Sequence, residues 1–301
     1  MKKIFNSIIG LTVLSGLFLT SCGSAPASSD NTLRVLASTT FLANITQNIA
    51  GDRAEVESLL PIGADPHSYQ AAPADVAKIS DSDLLILNGL GYENFIEPLL
   101  ENAGDGKMVV EATAGLDPRK DAENENGVDP HMWLDPNLVV TYVENIRDGL
   151  IQIDPEGTEI YKANADVYIS QLKDLDVWIE EQVNTIPPER RLLVTNHEAV
   201  GYFAERYGFE VAGSVIPSFS SNAAPSAQEM ASLIDEIKKL NAPAIFLDTA
   251  DNNTLAEQIA DETGIMIVAD LHLESLTEGA PAATYIDMMK YNVSRIVEAL
   301  K

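Results

Sequence analysis

Cysteine is almost absent: Cys22 is the single thiol in 301 residues. One thiol has no intrachain partner, so disulfides are excluded, and a metal cage built from thiolates is excluded with them. Basic residues are scarce as well, 19 Lys and Arg against 46 Asp and Glu, giving a net charge of −27 and a pI near 4.3. A surface of that sign repels a phosphate backbone, which excludes nucleic acid as a partner. It keeps a protein soluble, and it also draws cations toward it over distance. Histidine occurs four times in the whole chain. No membrane-spanning run is evident either. The apolar stretch from Ile4 to Leu19 is shorter than the about 20 residues that cross a bilayer, and it contains Ser7, Thr12 and Ser15.

What is present begins with that stretch. Lys2 and Lys3 precede it, and Leu19-Thr20-Ser21-Cys22 closes it with small residues. This is the layout of a bacterial lipoprotein signal peptide over residues 1–22, with cleavage before Cys22 exposing an amine and a thiol for acylation. Residues 23–31, GSAPASSDN, have the composition of a flexible tether. The mature chain is therefore expected outside the cytoplasm, lipid-anchored through Cys22 to a bacterial membrane. With that thiol carrying lipid, imidazole and carboxylate are the donors left for any metal.

The remaining chain of about 270 residues exceeds an ordinary single domain, and 46% hydrophobic content supplies real cores. Short apolar runs at 33–37, 55–60, 84–88 and 108–111 predict strands in the first half. Runs at 192–195, 210–214, 244–247 and 266–269 predict strands in the second. Helices are predicted between them, as at 41–50, ending on Gly51, and 198–207, ending on Gly208. This alternation implies an α/β fold with parallel sheets flanked by helices, whose ligands gather beyond the carboxyl ends of the strands. Residues 156–183 differ. They lack proline and, past Gly157, glycine, while Ile160, Ala163, Val167, Leu172, Leu175 and Ile179 recur near helical spacing. One long helix is predicted there, a stiff strut between two lobes. The expected organisation is an N-terminal α/β lobe at 32–154, a linking helix at 155–187 and a C-terminal α/β lobe at 188–301.

Three of the four histidines occupy short polar segments beside apolar runs. His67 lies in Pro61-Ile62-Gly63-Ala64-Asp65-Pro66-His67, after a predicted strand, and His131 in Asp129-Pro130-His131-Met132-Trp133, which repeats the Asp-Pro-His triplet. Proline and glycine restrict the backbone at both. His197 directly follows a predicted buried strand and precedes a helix. Singly each is more often structural than functional; three in restricted loops point to a metal. A tetrahedral zinc site needs four donors, so three imidazoles require one more group. Asp270, His272 and Glu274 are the candidates, and spacing alone leaves them open.

Six segments carry a family resemblance: GADPHSYQ at 63–70, NGLGYENFIEPLL at 88–100, DPHMWLDP at 129–136, LLVTNHEAVGYFAERYGFEV at 192–211, LAEQIADETG at 255–264 and YIDMMKYNVSRIVEAL at 285–300. In order and content they resemble the zinc/manganese solute-binding lipoproteins of ABC transporters, the adhesin-like or TroA-like family, over nearly the whole mature chain. The resemblance implies two α/β lobes joined by a long rigid helix, with the ion in the cleft between them. It implies His67, His131, His197 and Glu274 as ligands, the third being His or Glu and the fourth often Asp in other members. It further implies a monomer that captures Zn(II) or Mn(II) and hands it to a membrane permease. Two departures are visible. Residues 115–128 lack the histidine-rich loop of many zinc-importing members and instead hold Asp117, Asp121, Glu123 and Glu125, expected to form a solvated acidic loop. His272 stands two residues before Glu274 and on strand geometry would share its side; it is expected beside the site or on the surface.

Three imidazoles and one carboxylate favour zinc over manganese, since carboxylate and water suit the latter. Ligation needs neutral imidazole, so affinity is expected to fall below about pH 6.5. An enzyme is not expected. His197-Glu198 opens like a zinc-protease signature, but Gly201 stands where its second histidine belongs. Gly89-Leu90-Gly91 opens like a dinucleotide fingerprint and lacks the third glycine, and no Gly-x-Ser-x-Gly elbow occurs. Four protein ligands would also close a position that a catalytic zinc keeps open for water.

Overall fold

The eight apolar runs pair as two parallel sheets. In a computed structural model describing residues 32–100, 107–120, 127–250 and 252–301, β1 (Leu33–Ala37), β2 (Ala54–Ser58), β3 (Leu84–Leu87) and β4 (Met108–Glu111) form the first, in the order β2-β1-β3-β4. β5 (Leu192–Thr195), β6 (Glu210–Ser214), β7 (Ala244–Asp248) and β8 (Met266–Leu271) form the second in the equivalent order β6-β5-β7-β8. Position explains composition. The central strands β3, β5 and β7 are buried along their whole length and read as unbroken apolar runs, whereas the edge strands β2 and β4 carry exposed glutamates. The signal and tether expected at 1–31, with Cys22, lie outside the described residues, as do Asp121, Glu123 and Glu125 of the acidic loop.

Nine helices connect these strands among the described residues: α1 (Thr40–Ala50), α2 (Pro73–Asp81), α3 (Glu97–Leu100), α4 (Pro136–Ile153), α5 (Thr158–Val183), α6 (Gly201–Tyr207), α7 (Ala227–Leu240), α8 (Thr254–Thr263) and α9 (Tyr285–Leu300). Local chemistry sets their starts. Thr39, Asp135, Ser226 and Thr284 each cap a first turn by accepting a backbone N–H, and Glu229 returns a bond to Ser226. The helix expected from residue 198 begins instead at Gly201. The Glu198 N–H is drawn to the Ser218 carbonyl at 2.9 Å and the Ala199 N–H to the His197 carbonyl at 2.9 Å, so the chain turns there before it coils. No described helix is long and apolar enough to cross a membrane.

The long central helix is α5, 26 residues and so about 39 Å. Its buried stripe is Tyr161, Ala165, Tyr168, Leu172, Leu175, Ile179 and Val183. Ile160 and Val167, expected inside, are 45% and 60% exposed, and Ala163 is exposed as well. Together α1, α4, α5 and α9 fill one apolar cluster that reaches from Val35 and Ile86 of the first sheet to Phe246 and Val268 of the second. The outer face of the first sheet is covered by α2 and α3 around Leu36, Ile79 and Leu85. That of the second is covered by α7 and α8 around Leu233, Ile245 and Ile259. Residues Thr32–Lys301 consequently form one compact unit. In the strand order of each sheet, successive crossovers diverge between β1 and β3 and between β5 and β7, where such folds open a crevice at the carboxyl ends. Segments leaving those ends of both sheets meet: Leu276 N–H donates to Thr40 Oγ1 at 2.8 Å, and Gly63 N–H to Ser275 Oγ at 2.8 Å.

Candidate metal centre

Each sequence-predicted histidine sits on a segment leaving a strand, and the repeated Asp-Pro-His triplet does the same work twice. Asp65 Oδ1 accepts the His67 N–H at 2.8 Å, and Asp129 Oδ1 accepts the His131 N–H at 3.0 Å. The aspartate folds the chain back on itself two residues on, proline fixes the middle torsion, and the imidazole is presented at the tip. His197 leaves β5 directly, its carbonyl held by Thr195 Oγ1 at 2.7 Å. Glu274 follows β8 on a segment whose backbone is fastened by side chains. Asp248 Oδ2 accepts the Leu273 and Glu274 N–H groups, and Trp133 Nε1 donates to the Leu273 carbonyl at 2.7 Å.

These four side chains converge. One donor atom from each of His67, His131, His197 and Glu274 lies within 4.8 Å of the others. Glu274 Oε1 is 3.0 Å from His67 Nε2, 3.5 Å from His131 Nε2 and 3.4 Å from His197 Nε2. Donors bound at about 2.0 to 2.1 Å in a tetrahedron stand about 3.3 to 3.4 Å apart; the His131 and His197 contacts lie close to that edge, and the His67 contact is shorter. His131, His197 and Glu274 are fully buried, and His67 is partly exposed. Histidine ring centroids are 5.3 to 5.7 Å apart, and Trp133 and Tyr92 wall the cluster at 5.1 Å from His131 and 5.4 Å from His67.

Asp129, which the sequence reading passed over, orients the buried member. His131 Nδ1 donates to Asp129 Oδ1 at 2.9 Å, which fixes the tautomer and leaves Nε2, buried with no hydrogen-bond partner, facing the other donors. Asp129 is itself braced. Its carbonyl accepts from Tyr202 Oη at 2.8 Å, and Arg119 Nε lies 3.7 Å from Oδ2. A Cβ at Gly201 would come within 2.9 Å of Asp129 Oδ2 and 2.8 Å of Arg119 Nε. The position at which a zinc protease needs its second histidine is thus one where even a methyl group is crowded.

Charge is concentrated here. Burial opposes a charge on His131, but Asp129 and Glu274 outweigh it and push the imidazole up to about 9. Burial likewise opposes the Glu274 carboxylate, and the surrounding His67, His131 and His197 hold it well below the usual range. The pH window expected from a free imidazole, below about 6.5, therefore moves upward at His131. Of the candidates left open for the fourth position, Glu274 alone joins the cluster. Asp270 pairs with Tyr291 Oη at 2.7 Å and Arg295 Nε at 3.0 Å on α9. β8 ends at Leu271, so strand alternation never reaches 274, and His272 turns away toward Thr249 Oγ1 at 3.3 Å. Asp117 does not belong to the cluster.

Comparison with known proteins identifies the chain's relatives. The family model described as zinc-uptake complex component A, periplasmic, matches residues 35–299. The chain is 37% identical to the manganese-binding lipoprotein MntA of Halalkalibacterium halodurans, covering 100% of this chain and 99% of that one. It is 32% identical, over 100% and 99%, to the manganese ABC transporter substrate-binding lipoprotein PsaA of Streptococcus pneumoniae. Among solved structures it resembles the periplasmic zinc-binding protein TroA of Treponema pallidum, with TM-score 0.83, 28% identity and coverage of 89% and 99%. It also resembles the manganese-bound periplasmic metal-binding protein of Candidatus Liberibacter asiaticus, with TM-score 0.80, 30% identity and coverage of 89% and 100%. The strand order, the long helix and the matched span together make this chain a member of the TroA-like family of metal-binding, substrate-binding lipoproteins of ABC transporters.

Proposed function

We infer that this chain captures Zn(II) outside the cytoplasm and delivers it to an ABC transporter permease for import. The observation that carries the reading is the convergence of His67, His131, His197 and Glu274, three imidazoles and one carboxylate, within 4.8 Å. That donor set suits zinc, and with all four tetrahedral positions taken by protein the site binds an ion without leaving one open for catalysis. Residues 32–154 and 188–301 act as two lobes about the linking segment 155–187, each giving two ligands. Cys22 carries the lipid that holds the monomer at the membrane, a role supported by the lipoprotein names of MntA and PsaA.

Manganese is the second reading, favoured by the relatives named for manganese binding at 37% and 32% identity. Metal content by mass spectrometry decides between them, with zinc and manganese competing for the purified protein and for His67→Ala, His131→Ala and Glu274→Ala variants. One zinc per chain, lost in each variant and retained against excess manganese, is the expected result. Retention of manganese against zinc moves the protein to the second reading. No stoichiometric metal removes both.

A further inference from the structure

Residues 218–222, between β6 and α7, run from one predicted ligand to another. At one end the Ser218 carbonyl accepts the Glu198 N–H at 2.9 Å and the Asn196 carbonyl accepts the Ile216 N–H at 2.7 Å, so the segment is fastened to the turn that carries His197. At the other end it reaches the segment after β2. Ser221 Oγ donates to Asp65 Oδ2 at 2.8 Å, and Asn222 Nδ2 donates to the His67 carbonyl. Asp65 thus spends one oxygen on each side: Oδ1 on the His67 N–H, Oδ2 on Ser221. In the matching triplet Asp129 Oδ1 takes both the N–H and Nδ1 of its own histidine. No such ring contact ties His67 to Asp65, so its hold depends on the opposite lobe. His67 is also the partly exposed member of the four, and it is the one that lines a cleft of about 320 Å³ bounded by Pro66, Tyr92, Pro130, Phe219 and Ser220.

We propose that residues 218–222 are a strap by which Ser221 and Asn222 position His67 from the opposite lobe, so that ion release through the cleft requires the strap to let go of the Asp65-Pro66-His67 turn. The inference rests on the ion-capture reading. While the strap is fastened, His67 cannot swing toward the cleft, because its carbonyl and the aspartate holding its N–H are both tied across. When it is unfastened, His67 moves with its own loop and leaves first, since His131, His197 and Glu274 are buried and do not line the cleft.

The test is the rate at which zinc-loaded protein gives up zinc to excess chelator in stopped flow, with manganese used instead if wild type retains that ion. The Ser221→Ala/Asn222→Ala variant is expected to release at least about tenfold faster while still binding one ion per chain and unfolding at the wild-type temperature. Ser221→Thr, which keeps the hydroxyl, is expected within about twofold of wild type. In the metal-free protein, hydrogen exchange over residues 63–69 should quicken in the double variant and stay at the wild-type rate in the threonine variant. Release from the double variant within about twofold of wild type, with exchange unchanged, overturns the strap. A wild-type protein without stoichiometric metal overturns the reading beneath it instead.

Discussion

At the scale of single residues, Asp129 is the clearest case of a side chain that acts through another. It holds the Nδ1–H of a buried imidazole, and removing such a partner costs about 10- to 100-fold in metal affinity. Asp129→Ala should show that loss in competition with a chelator of known affinity, with no change in stoichiometry; full affinity in the variant would show that packing alone orients His131. Protonation follows from the same contacts. In the metal-free protein the raised His131 value, about 9 against an ordinary 6.5, means stabilisation that is complete below about pH 6.5 and lost as pH rises through 9. An ion held by His131 would have to expel that proton, so affinity should climb about tenfold per pH unit toward pH 9 for the one proton involved. Calorimetry at pH 7.5 in two buffers of different ionisation enthalpy should find at least one proton released per ion, and none released would contradict a charged His131. The convergence of His67, His131 and His197 could be anticipated from the chain because histidine is rare and each lies in a constrained polar segment. Glu274 could not be separated from Asp270 and His272 by spacing, because the choice depends on where β8 stops and on α9, which removes Asp270. The role of Asp129 was hidden for a related reason: the triplet announces a turn, but only the fold shows that one oxygen serves both the backbone and the ring.

At the scale of elements, strands were more legible than helix faces. Three central apolar runs, β3, β5 and β7, declare themselves because both of their sides are covered, whereas the composition of α5 misleads about which of its residues turn inward. Its real stripe steps 161, 165, 168, 172, 175 and 179, and two of its members are tyrosines. Counting aliphatic residues alone shifted the apparent face and placed Ile160 and Val167 inside. Energetics separate the two faces. Val167→Lys, on the exposed side, should leave stability within about 0.5 kcal/mol of wild type. Leu172→Ala, fully buried among α1, α4 and α9, should cost about 2 to 5 kcal/mol. Urea unfolding of both variants checks the assignment, and a large loss at Val167 would reverse it. The late start of α6 has a similar lesson. Residues 198–200 have helical composition, but the Glu198 N–H is taken by Ser218, a partner that lies outside any local window, and the Ala199 N–H by the His197 carbonyl.

At the scale of the whole molecule, alternating elements announce two sheets but not that they share a core. The cluster joining Val35 to Val268 pairs residues more than 200 positions apart, and no periodicity reports such a distance. Because that cluster is continuous, the two sheets should unfold together: scanning calorimetry of the metal-free protein should give one transition whose calorimetric and van't Hoff enthalpies agree, and two separated transitions would show that each lobe holds its own. Bound ion should raise that single transition, by about 4 kcal/mol at a free concentration 1,000 times Kd. The helix that completes this core is α9. Tyr285 donates its N–H to Asn44 Oδ1 at 3.0 Å and its hydroxyl to the Trp133 carbonyl at 2.6 Å, and Leu300 is wholly buried. A protein lacking α9, ending at residue 283, should therefore bind no zinc and should bind hydrophobic dye; a stoichiometric zinc complex from that piece would refute the point. Synthesis runs from the amino end, so the three candidate ligand histidines emerge before Glu274 and before the helix that closes the core. A nascent chain exported on the signal expected at 1–22 would carry its imidazoles as separate, weak binders until nearly all of it has been made and moved, so the compartment where the carboxyl end arrives, rather than the one where translation began, would decide which ion it holds first.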